Sequence, residues 1–355
     1  MSLPPFDRVL FLTPDLHETG GIGAVARMAL PAVQPLGVRG EVWSFWNPPA
    51  QANSAAWPHR YARGGKGRYA WWGVQAGLVP ARRTLIVCLH LHLTPATRML
   101  VARGAKLAVV LHGTEAWIPL APSRAAGVRR ADLLISVSQF TATKFQETNP
   151  GLAEKPLEVC LLGAPASRSA ARASEQPPFA LIVGRILAGE RYKGHDELLE
   201  LWPQLRQRVP TARLVVAGEG NDRARLEQKA RDLGVADAVK FVGRVDDATL
   251  QGLYRDCSFF VMPSSGEGFG VVFLEAMRAG KACVGGPGAP AEVIVDGVTG
   301  RVVERGELAA AVTELFENPG QCAQWGQAGR ERFERNFTME HFQQRLLLAL
   351  EKLGS

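Results

Sequence analysis

Phe259 to Met277 reads FFVMPSSGEGFGVVFLEAM: a short apolar run, a glycine-rich loop and an amphipathic stretch in immediate succession. Phe259–Met262 has strand length and Gly268–Ala279 has helical spacing, so the segment predicts a strand–loop–helix unit. Two glutamates, Glu267 and Glu275, stand eight positions apart within it. If that interval were helical it would rise about 12 Å. The carboxylates would then lie about 80° apart around the axis, close enough to face one groove. Carboxylates suit vicinal hydroxyls, because each accepts two hydrogen bonds well. The alternative, a pair of solvated surface charges, sits poorly with Glu275 inside V-V-F-L-E-A-M.

The same alternation runs along the whole chain. In the first half, strand-sized runs fall at Arg8–Thr13, Val38–Phe45, Leu85–Leu91, Leu107–Leu111, Leu133–Val137 and Leu157–Leu161. Helical spacing covers Ile22–Val33, Tyr69–Leu78, Pro95–Ala102 and Thr141–Glu147. Residues 163–178, GAPASRSAARASEQPP, are small, polar and proline-ended, and read as a linker. Strands then resume at Phe179–Val183, Arg213–Ala217, Val239–Val242 and Ala282–Val284, around helices His195–Arg208, Arg223–Leu233 and Ala248–Cys257. This rhythm predicts βαβ units and parallel sheets. The fold class expected is α/β, with two Rossmann-like doubly wound domains at 1–168 and 169–336. The amphipathic stretch Phe337–Leu353 predicts a terminal helix within 337–355. Open α/β sheets bind ligands beyond the carboxyl ends of their strands, so the two domains are expected to face one another across a cleft.

The 355 residues are 46% hydrophobic and carry a net charge of +7, unevenly spread. Residues 1–170 hold 18 Lys and Arg against 9 Asp and Glu, and the remainder 23 against 25. The first half is therefore expected to face something anionic: a membrane surface, a phosphorylated acceptor or nucleic acid. Arg60, Arg63, Lys66 and Arg68 interleave with Tyr61, Tyr69, Trp71 and Trp72 in RYARGGKGRYAWW, a pattern suited to an anionic bilayer. No recognised module or stacking platform supports nucleic acid, which is not expected as a partner. No run approaches the roughly 18–20 apolar residues of a membrane span. The N-terminal MSLPPFDRVLFLTP lacks the parts of a signal peptide. Five scattered cysteines without C-x-x-C pairing imply reduced thiols and a cytoplasmic location, peripheral on the inner face of the membrane where the basic half meets lipid. His90 and His92 alternate on a strand without a ligand set beside them, so zinc is not expected.

Gly21-Ile22-Gly23-Ala24-Val25-Ala26 satisfies the dinucleotide fingerprint G-x-G-x-x-A in form only. Residues 14–19 intervene where a tight turn is needed, and Glu41 opens the second strand instead of closing it. A Gly-Gly pair before a helix still suits an anion of some kind. No G-x-x-x-x-G-K-[ST] occurs, which excludes a phosphate-loop kinase or ATPase. More telling is Gly184-Arg185 at a strand end, followed eight residues later by Lys193, where a guanidinium fork and an ammonium suit a diphosphate. His112, ahead of Gly113 at another strand end, is a candidate site residue.

The chain contains, in order, V-G-R-(x7)-K-G-H-D (183–196), A-G-E-G (217–220), F-V-G-R-V (241–245), P-S-x-x-E-G-F-G-x-x-x-L-E-A-M (263–277) and D-G-x-T-G-R (296–301). Earlier come L-T-P-D-(x4)-G-G-I-G (12–23), L-H-G (111–113) and I-S-V-S-x-F (135–140). Together they resemble the retaining GT-B glycosyltransferases of family 4, the group 1 transferases, from Val9 to about Phe337. The resemblance implies a nucleotide-sugar donor held mainly by the C-terminal domain and an acceptor held mostly by the N-terminal one. It implies that Glu267 bonds sugar hydroxyls, that Glu275 holds the two ribose hydroxyls, and that the N–H groups of Gly268, Phe269 and Gly270 meet the sugar and distal phosphate at a helix N-terminus. Arg185, following Gly184, and Lys193 would neutralise the diphosphate. Gly20 and Gly21 would close over the phosphates, His112 would touch the sugar near its reacting carbon, and Gly243 to Val245 would border the base. The terminal helix would cross back onto the first domain. One departure is GGPGAPAE (285–292) in place of a tight G-G-x-P-E, near the sugar end in such enzymes.

The activity implied is transfer of a hexose from a UDP- or GDP-linked sugar, with retention, to a saccharide or lipid-linked acceptor in cell-envelope or exopolysaccharide synthesis. No D-x-D occurs and Asp246-Asp247 lacks its spacing, so neither metal nor cofactor is expected beyond the donor substrate. Other readings share parts of the pattern. A GT-B sugar phosphorylase or epimerase would differ in acceptor dependence, a nicotinamide oxidoreductase would bind that cofactor, and a non-catalytic nucleotide-sugar-binding protein would bind without turnover.

Overall fold

The computed structural model describes residues 6–16, 21–34, 39–46, 57–166 and 178–354. The chain divides into two compact units, residues 1–162 with 339–355, and residues 163–338.

The first unit holds β1 (Arg8–Thr13), α1 (Gly21–Val33), β2 (Arg39–Ser44), β3 (His59–Tyr61), α2 (Lys66–Ala76), β4 (Thr84–Cys88), α3 (Arg98–Ala102), β5 (Lys106–Leu111), α4 (Pro122–Arg129), β6 (Leu133–Ser136), α5 (Gln139–Thr148) and β7 (Leu157–Val159). The strands form one parallel sheet in the order β3-β2-β1-β4-β5-β6-β7. A parallel sheet carries helices on both faces, so its strands read as unbroken apolar runs. Val9, Leu10, Phe11 and Leu12 are accordingly all fully buried, as are Leu85 to Cys88. These runs are why the strands were legible. The stretch Pro95–Ala102 is not one helix: Leu91–Thr97 is a 3-10 turn and α3 begins only at Arg98. Thr94 and Thr97 donate their hydroxyls to the carbonyls of Leu91 and Thr94, holding the tighter turn around Pro95.

The second unit holds β8 (Phe179–Val183), α6 (His195–Arg208), β9 (Arg213–Ala217), α7 (Arg223–Asp232), β10 (Val239–Gly243), α8 (Asp247–Asp256), β11 (Phe259–Met262), α9 (Val271–Arg278), β12 (Cys283–Gly285), α10 (Pro290–Val293), β13 (Gly300–Val302), α11 (Leu308–Glu317) and α12 (Pro319–Asn336). Its sheet, β10-β9-β8-β11-β12-β13, is also parallel throughout. The order reverses between β1 and β4 in the first sheet and between β8 and β11 in the second, the switch points where such sheets take ligands. The opening segment needs one correction. Helix α9 starts at Val271, not Gly268, because Gly270 sits at φ +88° as its N-cap. A left-handed residue cannot continue a helix, so Gly268, Phe269 and Gly270 belong to the loop. Glu267 therefore stands well ahead of the helix, and the interval to Glu275 is only partly helical.

The last helix, α13 (Met339–Glu351), belongs to the first unit and packs on α1. Phe342, Leu346, Ala349 and Leu350 make its buried face, and full burial of each large side chain there is worth about 1.5–3 kcal/mol. The amide of Gln343 donates to the Met28 carbonyl at 3.0 Å, and Arg345 to Leu161 at 3.2 Å. All five cysteines are free and buried; burial pushes the thiols of Cys88, Cys160 and Cys257 up to about 12, so they are inert. No helix among the described residues is long and apolar enough to cross a membrane.

Candidate active site

In the second unit the loops after β8 and β11, the strands at the switch point, meet. Pairing runs past the end of β8: Gly184 N–H donates to Ala217 at 3.0 Å and Ile186 N–H to Glu219 at 3.0 Å. The approach is so close that a Cβ on Gly218 would fall 1.8 Å from the Gly184 carbonyl oxygen, which reserves that place in A-G-E-G for glycine. Arg185 is thereby fixed at the carboxyl end of β8. A 3-10 turn, Ala188–Lys193, follows and docks on the loop after β11, where Ser265 N–H donates to the Tyr192 carbonyl at 3.1 Å. The arm of Lys193 lies over Gly184. Asp196 of K-G-H-D braces α6 on α7, accepting from Arg225 at 2.8 and 2.7 Å and from Lys229 at 2.6 Å. Those partners, Arg225 first, hold its carboxyl well below the usual range.

Arg185, Lys193 and Glu267 come together, and a residue that no motif singles out joins them. Glu190 pairs with Arg185 through one carboxylate oxygen and with Lys193 Nζ through the other, at 3.2 Å. Lys193 Nζ also lies 4.0 Å from Glu267 Oε1. The only sequence signal for Glu190 is its place three residues before Lys193. Glu267 is largely buried, its side chain 18% exposed, and Oε1 has no hydrogen-bond partner among the described residues. Burial raises its pKa, Lys193 opposes the rise and Glu190 adds to it. A buried carboxylate oxygen left without a donor is costly, and a ligand hydroxyl would satisfy it.

Glu275, on α9, is anchored differently. Tyr254 of α8, fully buried, donates its hydroxyl to Glu275 Oε2 at 2.8 Å. Burial raises the Glu275 pKa, and the bond from Tyr254 and the charge of Arg278 moderate it. Oε1 makes no hydrogen bond among the described residues. Tyr254 is a second residue the motifs pass over, since a lone aromatic on an amphipathic helix reads as core. Gly243 closes edge strand β10 at φ +71°, beside the ion pairs of Arg223 with Glu219 (2.9 Å) and Glu227 (2.7 Å); half-buried Val245 follows it. Asp246 accepts from Thr249 N–H at 2.8 Å and caps α8.

In the first unit, Gly21 opens α1 and is exposed, while Gly20 lies outside the described residues. His112 follows β5. Its Nε2–H donates to the Leu89 carbonyl at 2.7 Å, which leaves Nδ1 as the acceptor of the neutral ring. Its own N–H donates to Glu115 Oε1 at 2.6 Å. Burial lowers the His112 pKa, against the pull of Glu115. Two further imidazoles gather there. His90 stacks on His112 with centroids 6.3 Å apart, and His92 meets His90 edge-on at 4.6 Å. Burial takes His90 down to about 4. The trio is neutral near pH 7, and no described group of three or more His, Cys, Asp or Glu is arranged to hold a metal ion.

The cation–aromatic stretch divides. Tyr69 is core, its hydroxyl donating to the Trp43 carbonyl, and Trp72 packs edge-on against Trp43. Arg60 pairs with Glu41 and lies over the Trp72 ring. Trp71, 57% exposed, is on the outer side of α2 with exposed Val74, ahead of exposed Leu78 and Val79.

A family model described as "Glycosyl transferases group 1" matches residues 164–332. Among curated relatives, a glycogen synthase of Mycobacterium tuberculosis is 33% identical over 258 residues, 70% of this chain and 58% of its own, so the chain spans less than two thirds of that relative. A GDP-mannose-dependent alpha-(1-6)-phosphatidylinositol monomannoside mannosyltransferase of M. tuberculosis is 32% identical over 263 residues, 66% of this chain and 67% of its own. Among solved structures, sucrose-phosphate synthase from Thermosynechococcus elongatus superposes with a TM-score of 0.78 at 17% identity, over 98% of this chain and 99% of that one. Anabaena HepE in complex with UDP and glucose gives 0.75 at 20%, over 96% and 98%. At those identities the two structures speak for the fold alone.

Proposed function

This chain belongs to the group 1 glycosyl transferases and has the GT-B fold, and on that footing we propose that it moves a hexose from a UDP- or GDP-linked sugar to a saccharide or lipid-linked acceptor, with retention and without a metal ion. The observation that carries the reading is Glu267: a largely buried carboxylate with an unsatisfied oxygen, beside the Arg185–Lys193 pair at the switch point of the second sheet. Glu267 would accept from sugar hydroxyls and Glu275, oriented by Tyr254, from the ribose. Arg185, Lys193 and the N–H groups of Gly268 to Gly270 would stabilise charge building on the departing diphosphate, so catalysis would be electrostatic. His112, held neutral, would offer the sugar an acceptor. The mannosyltransferase relative is named for GDP-mannose, which supports a GDP-linked donor, and the motifs leave a UDP-linked one equally open. A lipid-linked acceptor is supported by the basic first half and the exposed Trp71.

A thermal-shift panel of UDP-, GDP- and ADP-sugars tests the donor, followed by a sugar-transfer assay with and without chelator. One nucleotide series should raise the melting temperature, and transfer should survive chelation with product of the donor's anomeric configuration. No shift with any of them would remove the donor class. Chelator-sensitive transfer restored by a divalent ion would overturn metal independence.

A further inference from the structure

Glu190 occupies the two cations that the proposed function gives to the donor's diphosphate. One carboxylate bridges Arg185 and Lys193, the cations assigned to that group, and is itself only 14% exposed. With Glu267 close to the same ammonium, two cations already face two carboxylates. A diphosphate entering this cluster would meet Glu190 as a like charge on the same partners, and although Arg185 is open to water, Glu190 and Lys193 are both sheltered from its screening. We propose that Glu190 is an internal stand-in for the diphosphate, holding Arg185 and Lys193 in position while the site is empty and giving them up when the donor arrives. The proposal rests on the nucleotide-sugar reading and adds to it a regulation of the same site.

The local backbone suits the exchange. Glu190 stands at the kink of the Ala188–Lys193 turn, at φ −122° and ψ 30°, where the helical path is broken. The residues after it are tied down: Arg191 bonds Asp222 through two nitrogens at 3.2 Å each, and the Tyr192 carbonyl accepts from Ser265. Before it, Ala188 is exposed but held by its N–H, which donates to Asn221 Oδ1 at 2.9 Å, and Gly189 is exposed. Rotation of the Glu190 side chain toward solvent would therefore free both cations without undocking the turn. The same carboxylate, returning, would compete with the nucleoside diphosphate left after transfer and hasten its release.

Glu190→Gln keeps the size of the side chain and removes its charge. Titration calorimetry of the full chain with UDP, GDP and inorganic pyrophosphate should show binding tightened about five- to tenfold in the variant. Uridine and guanosine, which carry no phosphate, should bind the variant as they bind the wild type, an outcome a general loosening of the site would not produce. Without ligand, the variant should melt below the wild type. Should it not fold, Glu190→Ala, which also removes the charge, is read in the same way. Equal or weaker diphosphate binding in the variant would overturn the proposal and make Glu190 a support for the bound donor. If the wild type and every variant are silent to all nucleotides and to pyrophosphate, the nucleotide-sugar reading falls, and the stand-in with it.

Discussion

Glu275 owes its orientation to Tyr254, so the two can be separated by experiment. Glu275→Ala should abolish the nucleotide-induced thermal shift, whereas Tyr254→Phe should keep it but weaken nucleotide binding about three- to tenfold, the scale of one typical net hydrogen bond. An unchanged affinity in Tyr254→Phe would make the contact incidental. The buried imidazoles set an acid limit. His90 and His195 are both taken down to about 4, chiefly by burial, so between the ordinary histidine value and about 4 the unfolded chain binds protons that the native one refuses. Stability is then lost as pH falls through that window, by about 1–3 kcal/mol for each histidine. Glu267 and Glu275, raised by burial, act in the opposite sense: they bind protons more readily folded, and their burial costs least at low pH. Melting temperature should still fall from pH 6.5 toward 4, with a shallower slope in His195→Asn; an identical slope would place the acid-sensitive group elsewhere. That Arg185, Lys193 and Glu267 would come together was legible because they stand in an ordered set of motifs. Glu190 and Tyr254 were not, because they act through positions in space that no spacing in the chain encodes.

At the scale of elements, the strands could be read because a parallel sheet buried on both faces leaves unbroken runs such as TLIVC in β4 and FALIV in β8. Short edge strands carry no such signature: HRY in β3 and GRV in β13 were not foreseen. Helix α9 starts later than its spacing predicts because Gly270, left-handed, sets its N-terminus. Helix α2 starts earlier, at Lys66, because its first turn, Lys66-Gly67-Arg68, is polar and carries no apolar spacing. Gly270 gives a direct test. Its φ of +88° disfavours any side chain, and a Cβ would come 2.6 Å from the Phe273 ring. Gly270→Ala should cost about 1–3 kcal/mol of stability and weaken donor binding by shifting the loop that carries Glu267, read by thermal melting and by nucleotide titration. A variant with both properties intact would show that the loop is set by its other contacts.

At the scale of the molecule, the positive charge and the exposed apolar residues of α2 fall on the same unit. The chain from Lys66 to Arg83 holds no acidic residue and exposes Trp71, Val74, Leu78 and Val79. Sedimentation with anionic liposomes at low salt should carry the protein down, neutral liposomes should not, and Trp71→Ala with Leu78→Ala should weaken the binding several-fold. Indifference to anionic liposomes would remove the membrane reading. The division of the chain has a further bearing on how the protein is made. The first unit needs α13, which lays Phe342, Leu346 and Leu350 against α1 and ties Arg345 to Leu161. That helix is translated only after all of the second unit. A nascent chain on the ribosome must therefore carry an unsealed N-terminal half until α13 emerges, and chaperone demand should track that interval.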